Sequence, residues 1–209
     1  MIRSSKAHSA TVYVNWATSK GTTSSLSAAV RWGSRTDPVA SGLVTSLARP
    51  GANVTGLSMM ASEMAQKGLE VLKEIAPSVS RVTVLLDSRN PGQATLNHRA
   101  DAIYVYPLPI GPRDSQRLAE FAVKNRLPAA TTYQPYVRAG LLLSYVTDMA
   151  RQFRRASVYV DRILKGAKPA DLPIEQPDKF ELLINLRTAT ALGLTIPRSL
   201  LVRADETIQ

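Results

Sequence analysis

The side chains best suited to catalysis or metal binding are scarce in this sequence. It has no cysteine and only two histidines, His8 and His98, which excludes a thiolate site and argues against a multi-histidine metal site. The motifs of a serine nucleophile elbow, a phosphate-binding loop and a zinc-protease helix do not occur. Glu175 and Glu181 are close in sequence, but proximity along an extended segment is not a catalytic geometry. We therefore predict no enzyme activity, no metal site and no cofactor.

Residues that could bind a small molecule instead lie at the ends of candidate strands. Ser88, Asn90 and Pro91 follow the apolar run Val82–Leu86, and backbone amides at the start of a following helix would suit a carboxylate. An ordinary turn between a strand and a helix needs the same residue types. Both interpretations stay open at this point.

Three tyrosines form a second group of candidates. Tyr133, Tyr136 and Tyr145 lie at or after predicted strand ends, where their rings could stack on an aromatic or apolar solute. The alternative is that each ring covers the core, and we expect at most one or two of the three to contact a ligand. Tyr104 and Tyr106 lie inside a strand and are predicted to be packing residues.

The elements that must position these residues alternate between strand and helix. Strands are predicted at 53–57, 81–87, 102–106, 129–132 and 141–145, and helices at 37–47, 63–75, 115–125 and 149–165. The near-continuous apolar run Val82–Leu86 is typical of a parallel strand covered on both faces. The pattern predicts an α/β fold with a parallel sheet.

The longest predicted helix begins after Asp148, which we expect to cap it. Helical spacing predicts that its inward face carries Phe153, Ala156, Val160 and Ile163.

The formal net charge of +10 raises the question of nucleic-acid binding. Residues 1–36 contain five basic residues and no acidic one, and the rest of the chain mixes both signs; the five are Arg3, Lys6, Lys20, Arg31 and Arg35. No recognition helix or set of interleaved aromatic residues accompanies this charge, so we predict no nucleic-acid binding. The same 36 residues show no helical or alternating period and are predicted to be poorly ordered or unrelated to the rest.

Three long strings resemble one protein family. The first runs from Asp37 to Gly56 and reads DPVASGLV followed by LARPGANVTG; the second begins at Lys165 with KGAKPADLP and continues with EQP and KFEL; the third begins at Asn185 and includes ALGL. These strings are similar to those of the substrate-binding proteins of ABC transporters, including tryptophan-binding members. The resemblance extends over nearly all of residues 37–209.

The resemblance implies a type I periplasmic binding protein with two Rossmann-like lobes, of which the first is expected to be largely missing. We assign 37–57 to a remnant of the first lobe and 58–145 to the second lobe. The region 146–209 is assigned to a long helix, a hinge crossing and elements that return to the first lobe. A further helix, strand and helix of the family are expected to be missing near 98–100.

The resemblance also places more candidate ligand residues near the cleft. Asp37 could receive a ligand ammonium group or only cap its helix. Thr55 and Gly56 are as well explained by a hinge as by ligand contact.

The leading hypothesis is the capture of a small organic solute, such as an amino acid, for a membrane permease. The rival is a remnant that binds no ligand, and self-association through exposed faces is also considered. An enzyme with a Rossmann-like sheet and a ligand-responsive regulator are further alternatives that lack supporting motifs. Family resemblance implies a periplasmic location, whereas the chain as written shows no signal peptide and would be cytoplasmic.

Overall fold

The chain folds into two compact units. In the computed structural model, residues 10–16, 28–34, 39, 44–50, 54–85, 100–108 and 110–209 are described. Unit 1 comprises Met1–Ser62 and Thr147–Lys179, and unit 2 comprises Glu63–Val146 and Phe180–Gln209. The chain therefore passes between the units three times.

Unit 1 contains a small antiparallel sheet with the order β2-β1-β3. Its strands are β1 (Ala10–Trp16), β2 (Ala28–Ser34) and β3 (Val54–Ser58). Two of these strands fall within residues 1–36, where we predicted no regular element. The antiparallel pairing also differs from the parallel lobes that we expected. The central strand β1 pairs antiparallel on both sides, with Val12 opposite Trp32 of β2 and Leu57 of β3.

The helix α4 (Met149–Leu164) forms the other main part of unit 1. Asp148 caps it as predicted, because its carboxylate accepts a hydrogen bond from the Arg151 amide at 2.9 Å. The predicted inward face is rotated, however. Gln152, Tyr159 and Ile163 are the buried residues of the helix, whereas Phe153 is 57% exposed.

A short core joins α4 to β3 within unit 1. Tyr159 and Ile163 pack with Leu57 of β3 and with Leu172, and Ala156 packs against this cluster. A single 3₁₀ turn (Pro169–Asp171) leads into Leu172.

The predicted helix at 37–47 is not continuous. Residues 44–50 form bends rather than a helix, and the Ser46 hydroxyl accepts a hydrogen bond from the Arg49 amide at 3.0 Å. Such local bonds from serine and threonine compete with the helical backbone pattern. The start of this predicted helix, including Asp37, lies outside the described residues.

Unit 2 is built on a six-stranded sheet with the order β4-β5-β6-β7-β8-β9. Its strands are β4 (Val82–Leu85), β5 (Ala102–Val105), β6 (Ala129–Thr131), β7 (Leu143–Thr147), β8 (Phe180–Asn185) and β9 (Glu206–Ile208). The first four pair in parallel, as does β9 with β8. Backbone hydrogen bonds from Asn185 to Leu142 and from Asp148 to Lys179 show that β8 runs antiparallel to β7.

In the part of the chain that the structure describes, five helices flank this sheet. They are α1 (Ala61–Ile75), α2 (Pro112–Lys124), α3 (Gln134–Arg138), α5 (Leu186–Ala191) and α6 (Arg198–Arg203). The helices α1, α5 and α6 share one core cluster, and α2 and α3 share another. The two clusters use alternate residues of β5, because successive side chains of a strand point to opposite faces. The mixed α/β fold with a mostly parallel sheet confirms the predicted fold class.

The division of the chain differs from our prediction at its C-terminal end. Residues 180–209 belong to unit 2 and do not return to the first lobe. The physical reason is that β8 pairs with β7 and β9, which buries Leu182 and Ile184 in the same cluster as α1. None of the helices in the described part of the chain is long and apolar enough to cross a bilayer.

Candidate functional site

The carboxyl ends of the parallel strands in unit 2 define one edge of the sheet. Tyr106 follows β5, Tyr133 is separated from the end of β6 by one residue, and Tyr145 lies in the middle of β7. Because β8 is antiparallel to β7, its first residues, Phe180 and Glu181, lie at this same edge. We call it the carboxyl edge; ligands of open α/β sheets bind outside such edges.

The segment after β6, which we call the Thr131–Arg138 turn, is held by hydrogen bonds. The buried Thr131 hydroxyl donates to the Val105 carbonyl at 2.7 Å and accepts from the Tyr133 amide at 3.1 Å. Gln134 donates through Nε2 to Oε2 of Glu181 at 2.8 Å. The backbone of the turn is thus fixed, while the ring of Tyr133 remains 43% exposed. Tyr133 is the exposed one of the three tyrosines that the sequence singled out.

Tyr136 lies in the same turn but is a core residue. It is only 1% exposed and packs with Val105, Ala119 and Leu141. Its hydroxyl donates to the Leu108 carbonyl and accepts from the Leu108 amide, both at 2.9 Å. Burial raises the pKa of Tyr136, and the Leu108 hydrogen bond opposes that rise. Of the two interpretations, these contacts favour the one in which the ring covers the core.

The exposure of Tyr145 is intermediate between that of Tyr133 and that of Tyr136. It is half-buried, and its ring stacks on Phe180 with a centroid distance of 5.6 Å and an interplanar angle of 7°. The neighbouring Tyr104 is buried, as predicted, and contacts Tyr106 edge-on at 5.3 Å. Burial raises the pKa values of both these tyrosines.

The sequence did not indicate Phe180, Gln134 or Tyr106 as parts of this edge. Phe180 is the first residue of β8, and the sequence shows an aromatic residue at this position. Its location at the carboxyl edge depends on the antiparallel direction of β8, for which the sequence has no local signal. The aromatic residues at this edge are Tyr106, Tyr133 and Phe180, and Tyr145 in the middle of β7 stacks on Phe180.

The polar groups of Thr55 and Gly56 in unit 1 form hydrogen bonds with backbone atoms. Thr55 is fully buried, and its hydroxyl donates to the Leu172 carbonyl at 2.8 Å. Gly56 adopts a φ of 152°, which favours glycine, and its carbonyl accepts from the Glu175 amide at 3.0 Å. These contacts favour a structural role over ligand contact for both residues.

The stretch of unit 1 that receives these bonds is called here the Leu172–Asp178 segment. The Tyr159 hydroxyl donates to the Pro173 carbonyl at 2.7 Å, and Arg155 donates to both carboxylate oxygens of Glu175 at 2.5 Å. The Arg155 hydrogen bond holds the pKa of Glu175 below its ordinary value. Glu175 belongs to unit 1 and Glu181 to unit 2, so each carboxylate has its own polar partner in its own unit.

Asp37, Ser88, Asn90 and Pro91 lie outside the described residues. Within the described ranges, no three histidine, cysteine, aspartate or glutamate side chains come together in a way that could hold a metal ion.

The sequence matches one protein family over nearly all of its length. The family model described as ABC transporter substrate binding protein matches residues 6–97 and 93–208. The chain therefore belongs to this family, which is one of substrate-binding proteins rather than enzymes. The match includes most of residues 1–36, which differs from our prediction that they are unrelated.

Two solved structures resemble this chain over most of its length. One is a conserved domain protein from Vibrio cholerae O1 biovar El Tor, with 26% identity and a TM-score of 0.69, covering 82% of this chain and 68% of that one. The other is the ABC domain from Streptococcus pneumoniae in complex with L-Trp, with 26% identity and a TM-score of 0.68, covering 82% of this chain and 70% of that one.

A curated relative is the tyrosine-binding protein of Clostridioides difficile (strain R20291). It is 24% identical over 192 residues, which cover 76% of this chain and 55% of the relative. The chain thus spans about half the length of that relative.

Proposed function

We propose that this protein binds an amino acid with an aromatic side chain at the carboxyl edge of unit 2 and serves an ABC uptake transporter. The observation that carries the proposal is the exposed ring of Tyr133 on a hydrogen-bonded turn directly after β6. The half-buried Phe180 at the same edge, with Tyr145 stacked on it, adds aromatic surface. Aromatic rings are suited to stacking on an aromatic ligand.

Two of the similar proteins support an amino-acid ligand. One is described as tyrosine-binding and the other is a complex with L-Trp. The proposed partner is the membrane permease of the transporter, and the proposed site of action is outside the cytoplasmic membrane, as expected for this family.

A solute panel tests the proposal. The purified protein is titrated by calorimetry with L-Trp, L-Tyr, L-Leu and L-Glu, and its unfolding midpoint is measured with each. A ligand that binds only the folded chain raises that midpoint, and we expect the rise with the two aromatic amino acids. Absence of heat and of stabilisation with all four would contradict the proposal.

The Tyr133→Ala variant tests the site. We expect its affinity for the aromatic amino acid to fall about two- to twelvefold, corresponding to the ~0.5–1.5 kcal/mol typical of one aromatic pair. The matched control is Phe121→Ala, which removes another exposed ring of unit 2, on α2 rather than at the carboxyl edge. Equal losses in both variants would argue against a site at Tyr133.

The alternative is that these residues bind no solute by themselves. The observation that favours it is the coverage of only 55% of the curated relative, since binding in a two-lobed protein draws on residues from both lobes. The same panel distinguishes the two proposals: a well-folded chain that responds to no solute supports the alternative.

A further inference from the structure

Tyr136 is held by a closed pair of hydrogen bonds. Its hydroxyl both donates to and accepts from the backbone of Leu108, with each distance at 2.9 Å. Leu108 belongs to the segment that follows β5, whereas Tyr136 belongs to α3, which follows β6. The tyrosine therefore ties together the chain segments that leave two neighbouring strands at the carboxyl edge.

The buried ring of Tyr136 also supports the exposed ring of Tyr133. The two ring centroids are 4.9 Å apart and the interplanar angle is 79°, an edge-to-face arrangement that aromatic pairs favour. The backbone of Tyr133 is fixed separately by the Thr131 hydroxyl. Of the two rings in contact, Tyr136 is anchored in the core, and Tyr133 is accessible to solvent.

We propose that Tyr136 is a positioning residue, which orients the Tyr133 ring for an aromatic ligand without touching the ligand itself. The inference rests on the proposed function for its consequence in binding. A ring that is already ordered loses less conformational freedom when a ligand stacks on it, and pre-ordering of this kind improves affinity. Loss of the Leu108 clamp loosens Tyr136 and, through it, Tyr133.

The first test needs no ligand. 3-Fluorotyrosine is incorporated at Tyr133 alone, and the protein is otherwise unchanged. We expect the ¹⁹F NMR signal to be shifted away from that of a freely moving ring, because the ring is ordered. Tyr136→Phe, which keeps the ring but removes the clamp, is expected to move and sharpen that signal. The matched control is Tyr159→Phe, which removes a hydroxyl bonded to the Pro173 carbonyl in unit 1 and should leave the signal unchanged.

Two results would overturn the positioning role. One is a Tyr133 signal that is freely averaged in the protein with Tyr136 intact, a measurement that does not depend on the folding of any variant. The other is a signal that responds no more to Tyr136→Phe than to Tyr159→Phe.

The second test is a double-mutant cycle in ligand binding. We expect Tyr136→Phe to weaken binding of L-Trp or L-Tyr about three- to tenfold, the range for ordering one side chain. In the Tyr133→Ala background the same change should have no effect, because residues that act through one another are not additive. An undiminished loss in that background would contradict the inference.

The two tests separate the inference from the function on which it rests. If the wild-type protein binds none of the amino acids, the proposed function fails, and the ¹⁹F measurement still decides whether Tyr136 orders Tyr133. If it binds them and the cycle shows no coupling, the function stands and the positioning role fails.

Discussion

The Leu172–Asp178 segment of unit 1 and the Thr131–Arg138 turn of unit 2 are both fixed by side-chain hydroxyls that bond to backbone groups. In unit 1 the hydroxyls of Thr55 and Tyr159 donate to carbonyls of the segment, and both side chains are buried. In unit 2 the bonded hydroxyls belong to the turn itself, and the ring of Tyr133 extends beyond them into solvent. A hydroxyl that is hydrogen-bonded to the backbone holds the chain in place and is not available to a ligand. The exposed Tyr133 ring is available.

The comparison predicts opposite effects for residues that the sequence ranked together as ligand candidates. Changes in unit 1 should lower stability and leave solute affinity intact. Changes at Tyr133 should lower solute affinity and leave stability intact. Each of the following variants tests one part of this division.

The largest effect is expected from Thr55→Val. This change preserves the shape of the side chain but leaves the buried Leu172 carbonyl without its hydrogen bond at 2.8 Å, so the free energy of unfolding should fall by ~1–3 kcal/mol in urea titrations. The affinity for L-Trp or L-Tyr should change less than about twofold.

The control for Thr55→Val is Thr190→Val. The exposed Thr190 hydroxyl donates to the Leu186 carbonyl within α5, and its loss should cost less than ~0.5 kcal/mol. A tenfold loss of affinity in Thr55→Val with unchanged stability, on the scale of ~1.4 kcal/mol of binding free energy, would restore Thr55 as a ligand contact.

The next effect is expected at Asp148, whose helix α4 carries Arg155 and Tyr159 toward the Leu172–Asp178 segment. The Asp148 carboxylate caps α4 through the Arg151 amide, and Asp148→Ala should cost about 1 kcal/mol at neutral pH. Asp148→Asn is the control, because asparagine caps nearly as well without a charge.

The pH dependence of the Asp148 cap follows from its pKa. The Arg151 amide, followed by the charges of Lys179 and Arg154, holds the pKa of Asp148 below its ordinary value of 3.8. A carboxyl group with a lowered pKa in the folded state stabilises the protein above its unfolded pKa, and this contribution is lost as the pH falls through the lower folded value. The cost of Asp148→Ala should therefore shrink in acid, and equal costs of Asp148→Ala at neutral and acidic pH would rule out a charged cap.

Much of the framework could be predicted from the sequence because its signals are local. The apolar run of β4 indicated a parallel strand, and the aspartate at 148 indicated the start of α4. The inward face of α4 could not be predicted as well, since Gln152 reads as a surface residue and Phe153 as a core residue. In the structure Gln152 is buried and Phe153 is exposed. The surface against which a helix packs decides which face is buried, and the helix sequence alone does not specify that surface.

The candidate site was less predictable for a related reason. Tyr133 and Tyr136 are three residues apart in a short helical turn, so residue type alone does not tell which ring is buried. The answer depends on the Leu108 backbone, 28 residues earlier in the chain. The direction of β8, which brings Phe180 to the carboxyl edge, is likewise a property of the assembled sheet rather than of any local pattern.

The smallest effect is expected from Arg155→Lys, although Arg155 makes two short hydrogen bonds to Glu175. Both side chains are partly exposed, at 44% and 28%, and exposed ion pairs contribute only ~0–1 kcal/mol. Lysine keeps the charge but loses the two-pronged geometry, so any cost should decrease further in about 1 M salt, where charges are screened. The control is Arg117→Lys in the more exposed pair with Asp114. A cost for Arg155→Lys as large as that of Thr55→Val, and insensitive to salt, would mean that the ion pair rather than the buried hydroxyl fixes the Leu172–Asp178 segment.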